Sequence, residues 1–181
     1  MSEDLPDMEA ASWWTRGKAA IVDLLIFIAA CLIPGVLIGT SFVVAYDSSW
    51  EEFDFSGGST TLLALGILLG VAAFVWAGWF FGYCQGITGT TPGKRSQDIC
   101  LVDAESGETP GGAKGVGRWL VPSLVGGITG IGNIIELIDY LWPIWDPKKQ
   151  RLIDKVFKTR VVMGVPSKDG ISEAEPNNPI S

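Results

Sequence analysis

Two uninterrupted apolar runs dominate the pattern of hydrophobic and polar positions along the chain. Residues 19–46 contain a single charge, Asp23, and residues 60–84 contain none. Each run is longer than the roughly 20 residues that a helix needs to cross a bilayer core about 30 Å thick. The pattern therefore predicts two transmembrane helices, at about 19–46 and about 60–84.

A third apolar region, residues 119–145, has a different pattern. Four glycines, which are poor helix formers, fall between residues 126 and 133, and Glu136 and Asp139 follow them. Two complete crossings need about 40 residues, which is more than this region offers. We expect the segment to enter the membrane and return, or to lie in its interface. A third full crossing is the alternative.

The basic residues predict the topology. Arg16 and Lys18 precede the first run, all other Lys and Arg residues follow the second, and residues 47–59 contain none. Because cytoplasmic loops of membrane proteins are rich in Lys and Arg, both termini are expected in the cytoplasm. The same rule puts both flanks of residues 119–145 on one side of the membrane.

The predicted fold class is an all-α integral membrane protein. It consists of a two-helix transmembrane hairpin, a re-entrant or interfacial third helical segment, and a small cytoplasmic β element formed by strand-like residues 99–102 and 159–163. Residues 1–12 are expected to be an acidic flexible N-terminus, and residues 13–163 the membrane domain. Residues 164–181 are expected to be a disordered tail.

Composition agrees with a membrane protein and narrows its chemistry. Hydrophobic residues make up 48% of the chain and charged residues 18%, against about a quarter charged in soluble domains. The net charge of −7 speaks against nucleic acid as a partner. The sequence has no His, and no nucleophile–base pair or metal-ligand cluster is visible. We therefore expect no cofactor, no metal and no enzymatic activity.

Small residues follow one face of each predicted membrane helix. Gly35 and Gly39 are four residues apart in the first, and Gly66 and Gly70 in the second. Such spacing lets helix backbones approach closely. Because the two pairs lie at similar distances from the connecting loop, we expect them to meet in the outer half of the bilayer.

Asp23 is the most informative residue of the first run. A carboxylate inside the hydrocarbon costs a few kcal/mol, so it needs a partner or a neutral form. Arg16 points the same way along the helix but lies about 10 Å away along the axis. Ala19 and Ala20 between them leave room for another segment to approach. Asp23 is either a cation or proton site or a buried polar clasp.

Three further patterns carry candidate chemistry. Residues 86–95, GITGTTPGKR, lack the spacing of a phosphate-binding loop, and we interpret them as a tight turn leading off the membrane. Asn133 and Glu136 have the form of a capping box for an interfacial amphipathic helix, although a paired acid site of Glu136 with Asp139 is conceivable. Glu136, Asp139, Asp146 and Arg118 form a possible secondary polar site.

The residues after Asp146-Pro147 are predicted to form a basic helix, with Asp146 as the N-cap and proline at the first helical position. Anionic lipid headgroups usually bind basic helices beside a membrane. The residues expected to bind them are Lys148, Lys149, Arg151, Lys155 and Lys158.

These features together resemble the RDD family of membrane proteins, and its actinobacterial members in particular. The resemblance covers about residues 12–163. It rests on Arg16, Asp23 and Arg118 and on three blocks, GITGTTPGKR (86–95), LVDAESGETPGG (101–112) and YLWPIWDPKKQRLIDKVFKTRVV (140–162).

The family is named for one arginine and two aspartates. Arg16 and Asp23 match the first two, and the second aspartate corresponds to Asp154, with Asp146 as the rival. Many members have His before that aspartate, where this chain has Ile153. The resemblance implies a small protein of the bacterial plasma membrane, for which transport of a cation or small ligand has been suggested.

We expect Asp154 to fold back beneath the membrane toward Arg16 and Asp23, so that Arg16 bridges the two carboxylates. In a transport role, Asp23 would bind or relay a cation, and an oligomer would be needed because two spans are too few to enclose a pathway. The alternative is an accessory or scaffold subunit of a membrane or envelope complex. There the cluster would lock the fold, and the surface would engage lipid or a partner membrane protein.

Overall fold

The computed structural model describes residues 8–47, 52–128, 130–167 and 170–172. Helix α1 is Trp13–Ala45. Helix α2, Gly58–Ala77, continues through a π-helical stretch, Gly78–Cys84, into α3, Gln85–Thr88. Both long helices are apolar enough to cross a membrane, which confirms the two apolar runs as candidate spans.

The chain divides into two compact units. The helix-pair unit is Leu24–Ala77, and the sheet unit combines Met1–Asp23 with Gly78–Ser181. Within the helix-pair unit, short strands β1 (Tyr46–Asp47) and β2 (Glu52–Phe53) pair antiparallel between the helices.

Helix α2 packs on α1 through its predicted glycines. A Cβ added to Gly66 would lie 2.6 Å from Ile38 Cγ1 and 3.2 Å from the carbonyl oxygen of Pro34. A Cβ on Gly70 would lie 3.9 Å from Pro34 Cβ. The absence of a side chain on Gly66 therefore allows the two backbones to approach closely.

The expected pairing of two glycine stripes is wrong for α1. Gly35 and Gly39 have nothing within 4 Å of an added Cβ. The contact line on α1 runs instead through Pro34 and Ile38. Each of these residues precedes a predicted glycine by one position, which is a rotation of about 100° around the helix. The predicted pairing of α1 with α2 is therefore correct, but α2 contacts a neighbouring face of α1.

The sheet unit is built on two antiparallel strands, β3 (Ile99–Asp103) and β4 (Thr159–Met163), in which Cys100 lies opposite Val162. This confirms the predicted β element. Alternate side chains, among them Leu101 and Val161, form a buried core. Ala19 of α1 packs into the same core, so the sheet fixes the start of the first helix.

Backbone pairing extends into both ends that were predicted to be flexible. Ala10 forms a bridge with Val162 of β4, and Ala11 N donates to Val161 O, because the edge of β4 offers unpaired backbone groups. Strands β5 (Val165–Ser167) and β6 (Gly170–Ser172) form a further hairpin. The flexibility of both ends stays a prediction. Residues 1–7, 168–169 and 173–181 lie outside the described residues.

Residues 119–145 do not form one helix. Helix α5 is Gly112–Gly126 and α6 is Ile131–Leu141, followed by a 3-10 turn, Trp142–Ile144. Among the described residues neither is a candidate span. An added Cβ on Gly132 would meet Val125 O, and one on Gly126 would lie 2.5 Å from Glu136 Oε2. The chain therefore reverses here; its placement in a membrane stays a prediction.

The start of α6 corrects the predicted capping box. Its N-cap is Gly130, at a φ of 85°, and it makes no side-chain cap hydrogen bond. Asn133 lies inside the helix. Because glycine readily adopts the left-handed conformation found at residue 130, the helix begins before the Asn133–Glu136 pair that was expected to open it.

The tightest helix packing uses glycines that the sequence analysis did not single out. Gly78, Gly82 and Gly86 are spaced four residues apart and face α5 or its N-cap. An added Cβ on Gly86 would lie 2.4 Å from Gly111 O, and one on Gly78 would lie 2.8 Å from the Trp119 ring. This row of glycines lets α5 lie directly against the chain that leaves α2.

Candidate functional site

Asp154 lies at the centre of a buried polar cluster. It belongs to α7 (Leu152–Val156), and its side chain has no exposed surface. Its Oδ1 lies 2.7 Å from Arg118 Nη2, and its Oδ2 lies 3.5 Å from Arg16 Nη1. The backbone N–H of Arg151 also donates to Oδ2 at 3.1 Å. Three parts of the chain that are distant in sequence thus converge on one carboxylate.

Other nitrogens of the two arginines donate to the sheet and to the segment that pairs with its edge. Arg16 Nε donates to Ala11 O and Arg16 Nη2 donates to Val161 O, both at 3.1 Å. Arg118 Nη1 donates to the hydroxyl of Thr159 in β4. Each arginine therefore joins a helix to the sheet as well as to Asp154.

Burial makes these charges dependent on one another. Loss of solvation lowers the pKa of Arg118, and the attraction of Asp154 opposes that shift. Two guanidinium groups face one buried carboxylate. Removing one partner of such a buried pair leaves an uncompensated charge.

Asp23 occupies a second, neighbouring position in the sheet unit. Its Oδ2 accepts from the Thr91 hydroxyl at 2.6 Å, and its Oδ1 accepts from the backbone N–H of Gly93 at 2.8 Å. Thr91 is also the N-cap of α4 (Pro92–Arg95), since its Oγ1 accepts from Lys94 N at 3.2 Å. The carboxylate of α1 is thus held by a short capped helix.

This arrangement corrects the expected role of Arg16 as a bridge between two carboxylates. Among the ion pairs of the described residues, Arg16 pairs with Asp154 and not with Asp23. The physical reason is that Thr91 and Gly93 already supply hydrogen bonds to both oxygens of Asp23. Asp154 does fold back to Arg16, as expected.

Gly93 lies against Ala19, where the small side chains of α1 were expected to leave room for another segment. An added Cβ on Gly93 would lie 2.0 Å from Ala19 O and 2.8 Å from Asp23 Cγ. Only glycine lets the α4 backbone reach this face of α1. The segment interpreted as a turn leading off the membrane is therefore also the binding partner of Asp23, a role that its Thr-Pro-Gly capping pattern alone did not reveal.

The secondary polar residues separate into different positions. Asp139 is buried and pairs with Arg151, and its Oδ1 accepts from Ile153 N at 2.9 Å. The guanidinium carbon of Arg151 lies 3.8 Å from the centre of the Tyr140 ring. Asp139 therefore supports the N-terminus of α7, next to Asp154, while Glu136 lies near the reversal of the chain.

Asp146 is not the N-cap of a helix, contrary to the prediction. The residues after it form turns, and α7 begins only at Leu152, with Arg151 at its N-cap. Asp146 Oδ2 accepts from Gln150 N at 2.9 Å, and Oδ1 pairs with Lys155. Because these contacts close a turn, Asp146 lies in a different set of interactions from Arg16.

Three of the five basic residues expected to bind lipid form ion pairs within the sheet unit. Arg151 pairs with Asp139, Lys155 with Asp146, and Lys158 with Glu105. Lys148 and Lys149 are exposed.

Comparison with known proteins identifies relatives for most of the chain. The family model of the RDD family matches residues 10–158. Proteins named "Proline-rich antigen homolog" from two strains of Mycobacterium tuberculosis are 29% identical over 160 residues, which is 86% of this chain and 64% of the relative. The "Proline-rich antigen" of Mycobacterium leprae is 33% identical over 81 residues, covering 45% of this chain and 30% of that protein.

The chain thus spans just under two thirds of the length of the Mycobacterium tuberculosis relatives. No solved structure matches it significantly.

Proposed function

The chain belongs to the RDD family, and from that premise we propose that it is a membrane-anchored scaffold or accessory subunit rather than a transporter. In this proposal the arginine and aspartate cluster locks the first turns of α1 onto the sheet unit. No catalytic step is assigned to it. The proposal includes the bacterial plasma membrane as its location, with both termini in the cytoplasm.

The observation that carries this proposal is the way Asp23 is held. Both of its oxygens accept hydrogen bonds, one from a hydroxyl and one from a backbone N–H. A carboxylate that relays a cation must exchange its ligands during each cycle, whereas these donors are fixed parts of a capped helix. Asp154 is likewise completely buried between two arginines.

A second candidate is transport of a cation or small ligand by an oligomer. It is favoured by the position of Asp23 on a helix long and apolar enough to span a membrane, where ionisable residues often mark ion or proton pathways. In that role Asp23 would bind or relay the cation, and Thr91 and Gly93 would release it.

Flux measurements distinguish the two candidates. The purified chain, reconstituted in liposomes with a trapped pH dye, would be pulsed with sodium or potassium beside Asp23→Asn and the exposed control Lys18→Met. The scaffold proposal expects no flux above empty liposomes and a lower unfolding temperature for Asp23→Asn alone. A flux that disappears in a folded Asp23→Asn variant would overturn it in favour of transport.

Lipid contact is the remaining part of the proposal. We assign it to the exposed pair Lys148 and Lys149, since positive residues near an anionic surface each contribute about 1 kcal/mol of attraction. The double variant Lys148→Gln/Lys149→Gln should reduce retention of anionic lipid during purification. The matched variant Lys155→Gln/Lys158→Gln should reduce it less, because those lysines already pair with carboxylates.

A further inference from the structure

Lys94 is an ionisable residue that has no role in either candidate function. It lies in α4, next to the glycine whose N–H binds Asp23. Its backbone N is fixed by the Thr91 cap at 3.2 Å. The geometry of α4 therefore sets where the Lys94 side chain begins.

The amine of Lys94 ends against an amide instead of an acid. In the orientation of the Gln85 amide that satisfies its neighbours, Nε2 donates to Phe81 O at 2.6 Å and Oε1 accepts from Lys94 Nζ at 2.5 Å. Among the described residues no carboxylate forms an ion pair with Lys94 within 4.0 Å. Lys94 is half-buried, and its amine therefore binds a neutral amide oxygen and not a carboxylate.

The surrounding charges do not compensate for that burial. Asp23 of α1 and Asp154 of α7 attract the ammonium, while Arg118 of α5 and Arg151, the N-cap of α7, repel it. Two attracting and two repelling groups oppose each other. Burial, assisted by Arg118, lowers the pKa of Lys94 from 10.5 to about 8.

We propose that Lys94 is a proton-binding site within the cluster, and that the sheet unit is held more tightly when this amine is neutral. The ligand is a proton, exchanged between the ammonium and water. The neutral amine keeps its donor hydrogens for Gln85 and removes the repulsion with Arg118. This inference rests on the position of Lys94 and holds for a scaffold or a transporter alike.

The sign of the pH dependence follows from linkage. The folded protein binds this proton less tightly than the unfolded chain, whose lysine titrates normally. The free-energy cost of burying the ammonium is therefore fully present below pH 8, and it is relieved as the pH rises from 8 toward 10.5. Between pH 7 and pH 10 the folding equilibrium constant should increase by about seventyfold through this residue alone.

The test compares unfolding of the full chain in lipid nanodiscs from pH 7 to pH 10 with that of Lys94→Met and the exposed control Lys18→Met. The unmodified chain and the control should gain stability relative to Lys94→Met as the pH rises. Parallel profiles for all three proteins would overturn the proposal, since the other alkaline titrations are common to them.

A second measurement applies even where Lys94→Met does not fold. Lysine labelled with ¹³C at Cε would be titrated by NMR in the unmodified chain. One lysine signal with a midpoint near 8 is expected, well below the ordinary lysine pKa of about 10.4. A spectrum in which every lysine titrates above about 10 would contradict the assignment.

Discussion

Asp154 and Asp23, the two aspartates that the sequence resemblance matched to the family signature, are stabilised by different chemistry. Asp154 is fully buried and lies between the guanidinium groups of Arg16 and Arg118. Asp23 is half-buried and is held by neutral donors, the Thr91 hydroxyl and the Gly93 N–H. Asp154 is therefore stabilised by ion pairs, whereas Asp23 is stabilised by hydrogen bonds from the capped start of α4.

The difference indicates what each contact contributes. Breaking a buried ion pair leaves the remaining charges uncompensated, which is strongly destabilising. Losing a neutral donor to a carboxylate costs less, about 1.5–3 kcal/mol. The Asp154 position should therefore dominate stability, while the Asp23 position sets how α1 is attached to α4.

The largest effect is expected for Asp154→Asn, which leaves two buried arginines facing a neutral amide. The free energy of unfolding should fall by about 3–5 kcal/mol, measured by denaturant titration in nanodiscs. The matched control is Glu105→Gln, whose exposed pair with Lys158 should contribute less than about 1 kcal/mol. Equal losses in the two variants would contradict the central position of Asp154.

Gly93→Ala comes next, because its new methyl group would overlap Ala19 O and the Asp23 carboxylate. Overpacking of this kind costs about 1–3 kcal/mol, and displacement of α4 would also weaken the hydrogen bonds to Asp23. Thermal unfolding provides the measurement. Gly35→Ala, at a helix position with open space around it, should cause no loss; a Gly93→Ala variant as stable as this control would exclude the close approach.

Thr91→Val should cost about 1.5–3 kcal/mol, because it removes both the donor to Asp23 and the cap of α4. Thr91→Ser keeps the hydroxyl and should recover most of that stability. The comparison of the two unfolding midpoints separates the contribution of the hydroxyl from that of the side-chain shape. Equal midpoints for Ser and Val would show that the hydroxyl does not hold Asp23.

The smallest effect is expected for Arg151→Lys, at about 1 kcal/mol. Arginine directs both Nε and Nη2 to Asp139 and stacks on Tyr140, and lysine reproduces neither the fork nor the stacking. Chemical unfolding would again measure the loss. A variant more damaging than Asp154→Asn would shift the centre of the cluster from Asp154 to Asp139.

Much of this fold follows from sequence patterns with a single physical cause. The apolar runs predict both long helices because a bilayer-length run admits few alternatives, and the strand pattern predicts β3 and β4. The approach of Asp154 to Arg16 follows from a family signature and the cost of burying an acid near a membrane.

The partner of Asp23 could not be predicted in the same way. Thr91 and Gly93 form a cap of a four-residue helix, and nothing in that local pattern specifies which acid it receives 68 residues earlier. The glycine stripe of α1 failed for a related reason. Spacing identifies a face, but a rotation of one residue moves the contact from Gly35 to Pro34.

A double-mutant cycle between Asp23 and Thr91 tests the central claim, that Asp23 fastens the start of α1 to α4. Unfolding free energies would be measured for the unmodified chain, Asp23→Asn, Thr91→Val and the double variant. The lock predicts that the double variant loses less than the sum of the single losses, with a coupling of at least about 1 kcal/mol. Single losses that add to within about 0.5 kcal/mol would contradict it.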